Sequence, residues 1–129
     1  MATVKLIEEK DANEQVARVY GDVKRTFGLS FVPALFRAMG HHPDYLESTW
    51  ARVKAVMGEG RLDRRTKEII AVAVSATNGC HYCVSAHTAA LRSLGLGDPE
   101  ITEVMAVVDV FNGLNKFLEG MHIETELKP

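Results

Sequence analysis

The stretch EIIAVAVSATNGCHYCVSAH, residues 68 to 87, holds both cysteines of the chain, Cys80 and Cys83, with Glu68 at its start and His87 at its end. Cys80, Cys83 and His87 stand at i, i+3 and i+7, positions that share one face of a helix. His87 is therefore placed to touch Cys83. Asn78-Gly79 is a turn signal, and Asn78 or a near neighbour is placed to cap the helix that follows. The cysteines then fall in or beside its first turn, where free N–H groups and the helix dipole favour a thiolate. A helix N-terminus, a nearby histidine and a Cys-x-x-Cys pair each lower a cysteine pKa. Glu68 adjoins an apolar run. A carboxylate there is costly without a partner, and a histidine near two cysteines supplies one.

Working outward, Asp63 reads as the N-cap of the preceding helix, with Arg64, Arg65 and Lys67 in its first turns. Residues 68–76 are apolar on nearly every side, which predicts a helix central in a bundle or buried in an assembly. Ile69, Ile70, Val72 and Val74 also suit a buried strand. Ala71, Ala73 and Ala76 and the helical neighbours favour helix. The cysteine helix is expected to run to about Leu94, with Gly95 as its stop. Asp98-Pro99-Glu100 opens a last helix to about Glu119, with Ile101, Val104, Met105, Val108, Phe111, Leu114 and Leu118 turned inward. The tail from Gly120 is expected to be loose or to pack on a neighbouring subunit.

Toward the N-terminus, Asp11 with Glu14 suggests a capping box. Val16, Val19, Tyr20, Val23 and Phe27 form the stripe of an amphipathic helix ended by Gly28. Pro33 opens a short second helix closed by Gly40. Pro43 starts a third, with Leu46, Trp50, Val53 and Met57 as its apolar stripe. The expectation is an all-α bundle of about six helices in a single domain, 1–129, with its core at about 15–120.

At 129 residues the chain suits one domain. Its 47% apolar and 25% charged residues are ordinary for a soluble globular protein. A formal net charge of −2 gives no argument for nucleic acid or an anionic membrane. The opening MATVKLIEEKD has no apolar signal region, and the run at 69–76 is too short to span a bilayer. Two cysteines this close make no disulfide framework for a secreted domain. In a cytoplasmic chain, the expected setting here, they point to redox work or metal binding.

The pattern Glu-x11-Cys-x2-Cys-x3-His formed by Glu68, Cys80, Cys83 and His87 resembles the motif of the AhpD-like alkylhydroperoxidases, within the carboxymuconolactone decarboxylase superfamily. VPALFRAMGHHPDYLESTW resembles that family's segment before the central helix, and LDRRTKEIIAVAVSATNGCHYCVSAHTAALRSLGL resembles its core. The resemblance implies helical subunits assembled as trimers or hexamers. It implies a Cys pair that reduces hydroperoxides and cycles between dithiol and disulfide. On that pattern Cys83 attacks the peroxide and Cys80 resolves. His87 and Glu68 form a proton relay to Cys83, with a water in the chain. An external dithiol or thiol-carrying protein restores the pair, a lipoyl group in better-known members. No organic cofactor is required.

The sequence departs from the pattern at two points. Full-length family members carry a duplicated helical unit. Some have His directly before the second Cys, where this chain has Tyr82, with His81 one position earlier. Tyr82 and His81 are therefore secondary candidates. Tyrosine is common there in shorter, peroxidase-related members. The alternatives are a disulfide-exchange or redox-sensing module, a metal site from Cys80, Cys83, His87 and Glu68, and a decarboxylase, a branch that generally lacks the Cys pair. A c-type haem needs His where Val84 stands. Without a function, the cysteines read as small buried residues, Glu68 as a solvated acid in a first turn, and His87 as an ordinary histidine. His41, His42 and His122 read as surface or interface residues, and Phe36, Trp50 and Phe111 as core. Arg61, Arg64, Arg65 and Lys67 form a solvated patch or pair across a subunit contact.

Overall fold

The computed structural model describes residues 1–127, which contain six α-helices and no strand. After a short 3-10 turn at Glu9–Asp11 come α1 (Glu14–Phe27), α2 (Ala34–Met39), α3 (Pro43–Met57), α4 (Arg64–Thr77), α5 (His81–Ser93) and α6 (Asp98–Gly120). The all-α expectation is met. The helices fall into two compact units, Met1–Gly58 and the chain from Glu59 onward. Residues 128 and 129, the end of the expected 1–129 domain, lie outside the described residues.

The first unit is built on the α1 stripe. Asn13, not Asp11, caps α1 by accepting the Val16 amide at 2.9 Å. Asp11 is taken up in the 3-10 turn, so its side chain cannot serve. Gly28 ends the helix at φ 66°, a left-handed conformation that favours glycine. Val16, Val19, Tyr20 and Val23 close a core with Val32, Phe36, Leu46 and Trp50. Phe27 and Phe36 meet the Trp50 ring edge-on, at 5.2 and 5.5 Å between centroids. The indole N–H donates to Asp22 at 2.7 Å, so this tryptophan is structural. His42 caps α3 through Nδ1, which accepts the Tyr45 amide at 3.2 Å. His41 bonds the Lys5 carbonyl through Nε2 at 2.6 Å.

The second unit carries the motif. Asp63 caps α4 as expected, accepting the Thr66 amide at 2.7 Å. Val72, Leu91 and Leu96 form its core, joined by Ile69, Leu94, Ile101, Val104 and Met105. Gly97, one residue before the expected Asp98, is the N-cap of α6, because the Glu100 carboxylate reaches back to its amide at 2.8 Å.

Along α4, Ile70 and Val74 are about half exposed in the single chain, so its own unit does not bury it all round. One expectation is corrected here. The α6 stripe is inward only in its first turns. Phe111, read as core, is 56% exposed, and Leu114 and Leu118 are exposed as well. The reason is length. At about 1.5 Å per residue, the 23 residues of α6 outrun the 14 of α4 and the 13 of α5, so its second half reaches past them; Thr77 at the end of α4 donates to Asn112 at 3.1 Å.

Candidate active site

The site sits where α4 and α5 pack together. Asn78 ends α4, Gly79 turns the chain at φ 69°, and α5 starts at His81. The expected cap at or near Asn78 is Cys80 itself. Its sulfur accepts the Cys83 amide at 3.4 Å, and its own amide donates to the Ser75 carbonyl at 2.9 Å. The cysteine turn is thus held from both sides. Both cysteines are free, partly buried thiols, and their sulfurs lie 2.7 Å apart. A disulfide needs about 2.05 Å, so small side-chain rotations are enough to close the bond.

Glu68 and His87 form the second half of the site. Glu68 is only 3% exposed, one of two buried polar residues among those described. Its Oε2 lies 2.7 Å from Nδ1 of His87, and its Oε1 accepts from Arg64 Nε at 3.2 Å. Burial alone would raise the carboxyl pKa. The His87 hydrogen bond and charge, helped by Arg64, outweigh it and hold Glu68 below the ordinary glutamate value. A carboxylate on Nδ1 keeps the proton there in neutral imidazole, which leaves Nε2 as the basic nitrogen. One helical turn separates His87 from Cys83 on α5.

The two sulfurs do not share charge equally. Hydrogen bonds from the Cys83 thiol and amide, with help from the Tyr82 amide, pull the Cys80 pKa down. The Cys80 sulfur it serves and its own burial push Cys83 up, while a hydrogen bond from the Ser75 hydroxyl pulls the other way. The resemblance implies a thiolate on Cys83, whereas the local donors favour it on Cys80. Because the pair shares one proton, its first ionisation belongs to both residues together.

All four principal residues thus lie in one unit, as Glu68–His87 and Cys80–Cys83 pairs. His81 and Tyr82, the secondary candidates, are exposed on the first turn of α5, and Tyr82 contributes through its amide. Arg64, read as part of a solvated patch, pairs with Glu68, and Arg65 donates to the Leu94 carbonyl at 3.1 Å. Sequence reasoning missed Ser75. The signal was present, since Ser75 is the one polar residue in the run at 69–76 and stands at i+7 from Glu68. Among the described residues, no group of three or more His, Cys, Asp and Glu side chains is arranged to hold a metal ion. An open groove of about 750 Å³ lies between α4 and α6 and is lined by neither cysteine nor His87.

Fold and site together define a small helical protein with a dithiol beside a buried carboxylate–histidine pair. Residues 43–125 match the carboxymuconolactone decarboxylase family, and the chain belongs to it. A solved structure, the alkylhydroperoxidase AhpD core from Rhodospirillum rubrum, superposes with a TM-score of 0.91 at 38% identity, covering 98% of this chain and 95% of that one. An alkyl hydroperoxide reductase of Mycobacterium tuberculosis is 32% identical over 71% of this chain and 26% of its own length. An (R)-2-haloacid dehalogenase of Pseudomonas putida is 25% identical over 91% of this chain and 39% of its own length. The chain therefore spans well under half the length of these curated relatives. This is an AhpD-like member of the family, with alkyl hydroperoxide reductases among its relatives.

Proposed function

We propose that this chain is a thiol-dependent peroxidase that reduces a hydroperoxide through a Cys80–Cys83 dithiol–disulfide cycle. The observation that carries the reading is a pair of free sulfurs 2.7 Å apart at the start of α5, the helix whose His87 bonds the buried Glu68 of α4. The relatives named as alkyl hydroperoxide reductases support the same class.

Cys83 is the attacking sulfur and His87 Nε2, directly or through a water, takes its proton. The Cys83 thiolate attacks the terminal peroxide oxygen. The O–O bond breaks, Cys83 becomes a sulfenic acid, and the alkoxide leaves as alcohol with the proton held on His87. Glu68 stabilises that imidazolium. The Cys80 thiol then displaces the sulfenic oxygen as water, forming the disulfide. An external dithiol, or a protein that carries one, reduces the disulfide by exchange and is itself oxidised. The cycle uses no organic cofactor. It is placed in the cytoplasm, without nucleic acid or membrane as partner. No helix among the described residues is long and apolar enough to cross a membrane.

The reading treats the chain as one AhpD-like domain over 1–129, which coverage of 98% by a structure described as an AhpD core supports. It also makes the protein a homo-oligomer, trimer or hexamer. The exposed apolar half of α6 supports that, because monomeric proteins rarely leave such a face open.

A second reading has one observation in its favour. Cys80, at the helix cap, is the sulfur that the local donors favour as thiolate, an arrangement suited to attack on a protein disulfide. The test is to mix reduced protein with cumene hydroperoxide, or with a protein disulfide, and to follow thiol loss and turnover with dithiothreitol. Peroxidase function requires faster reaction with the peroxide and no turnover in Cys83→Ser. A Cys83→Ser variant of full activity overturns it, and faster reaction with the disulfide favours the exchange module.

A further inference from the structure

We propose that Ser75 is a positioning residue of the dithiol site: its hydroxyl holds the Cys83 sulfur and stabilises the anion there, drawing the shared charge toward the attacking cysteine. The inference rests on the peroxidase reading only in calling Cys83 the attacking sulfur.

Four observations meet at this residue. Ser75 is 9% exposed, inside a helix segment otherwise made of Ala, Val and Ile. It lies on the α4 face that also carries Glu68 and Val72, the three buried residues of that helix. Its carbonyl accepts the Cys80 amide at 2.9 Å, which fixes the cysteine turn against this point of α4. Its hydroxyl donates to the Cys83 sulfur. A serine in a helix interior is a mediocre helix former, and a buried hydroxyl is costly unless bonded. Packing alone is served better here by alanine.

The sulfurs differ in what they receive. Cys80 is served by the Cys83 thiol and amide and by the Tyr82 amide. Against these, Cys83 has the Ser75 hydroxyl, the one donor that favours charge on it. Removing that donor leaves every bond to Cys80 in place, so the anion shifts further toward the cap. A hydrogen bond to a charged group is worth a tenfold to hundredfold change in such an equilibrium, roughly.

The experiment is single-hit alkylation. Fully reduced protein is treated with limiting iodoacetamide over a range of pH, and modification at Cys80 and Cys83 is counted by peptide mass spectrometry. The variants are Ser75→Ala, a better helix former that leaves only a small gap, and Ser75→Thr, which keeps the hydroxyl. In Ser75→Ala the ratio of Cys83 to Cys80 modification at neutral pH should fall by about tenfold or more, and Ser75→Thr should restore it. The second-order rate with cumene hydroperoxide should fall in parallel. An unchanged ratio in Ser75→Ala overturns the proposal and leaves Ser75 as a helix residue bonded to its own backbone. An equal fall in Ser75→Ala and Ser75→Thr also overturns it, since packing and not the hydroxyl then matters. The ratio needs no peroxide. If the wild-type protein ignores peroxide while the ratio shifts as stated, the peroxidase reading fails and the role of Ser75 stands.

Discussion

Nδ1 of His87 lies 2.7 Å from Oε2 of Glu68, and that carboxylate is 3% exposed. The pair spans α4 and α5, so the orientation of the His87 ring is tied to a buried carboxylate on the neighbouring helix. Glu68→Gln keeps the shape and removes the charge. The apparent pKa of the thiolate should rise, because an imidazole without its carboxylate accepts the cysteine proton less readily. Peroxide turnover at neutral pH should fall by roughly a hundredfold, the lower range for a positioned acid–base group. Thiolate absorbance in the ultraviolet, followed against pH in the reduced protein, checks the first point. A titration identical to wild type would disconnect the pair from the sulfurs.

The same carboxylate sets an acid limit on stability. Burial pushes its pKa up, but His87 and Arg64 hold the net value below the ordinary glutamate range. A depressed folded pKa means that the unfolded chain binds the proton more readily. The stabilisation is then complete above the unfolded value of about 4.3 and disappears as pH falls through the lower folded value. Chemical denaturation across that acid window should show wild-type stability falling more steeply than that of Glu68→Gln. Parallel curves would place the glutamate outside the folding balance.

The cysteines predict a trapped intermediate. In Cys80→Ser the resolving thiol is missing while Cys83 still attacks. One equivalent of peroxide should leave a sulfenic acid on Cys83, seen as an added oxygen by intact mass and captured by dimedone. The wild-type protein should instead lose its thiols as a disulfide with no oxygen retained. A disulfide-linked dimer as the sole product of Cys80→Ser would mean that Cys83 resolves against another chain.

Much of this site is legible in the sequence because its pieces are local. Cys80, Cys83 and His87 belong to one helix, and helical spacing alone puts them on one face. The link from Glu68 to His87 is tertiary; the cost of an unpaired carboxylate beside an apolar run suggested a histidine partner, and the resemblance gave the relay. Ser75 was passed over because a lone hydroxyl among Val and Ala reads as filler until its carbonyl is found on the Cys80 amide. Two helix starts went astray by one or two residues, at Asn13 and Gly97, because the cap depends on which side chain or amide the turn presents, and the candidates there are close neighbours. The α6 stripe misled for another reason. Periodicity tells which face is apolar, not what covers it, and Phe111 has the spacing of a core residue on a helix that outruns its neighbours.

Leu91 tests the core beneath the site. It is fully buried on α5 against Val72 and Leu96, on the helix that carries both cysteines and His87. Leu91→Ala should cost about 2–5 kcal/mol of stability, read from the midpoint of urea unfolding at constant slope. Cys80–Cys83 disulfide formation by a chemical oxidant should survive at temperatures where the variant is folded, since the cysteine turn is fixed by backbone bonds at the other end of the helix. A loss below about 1 kcal/mol would show that the neighbours collapse into the gap.

The exposed half of α6 carries the last prediction. Val107, Val110, Phe111, Leu114, Phe117 and Leu118 are all exposed along this helix, with Met121 exposed at its C-cap. An apolar face this long is rarely left open to water, and a further copy of the same chain is the cover the homo-oligomer reading provides. Phe111→Glu combined with Phe117→Glu places two charges on the face without touching the Val72–Leu91–Leu96 core. Helical circular dichroism should stay near wild type. Sedimentation velocity should show the wild-type protein as an assembly and the variant shifted to a single chain. Each lost aromatic anchor should raise the dissociation constant by roughly 30-fold or more, the scale of a strong interface residue. A wild-type protein that sediments as a monomer at every concentration would remove the oligomer from the reading. An assembly unmoved by the two charges would locate its interface away from α6.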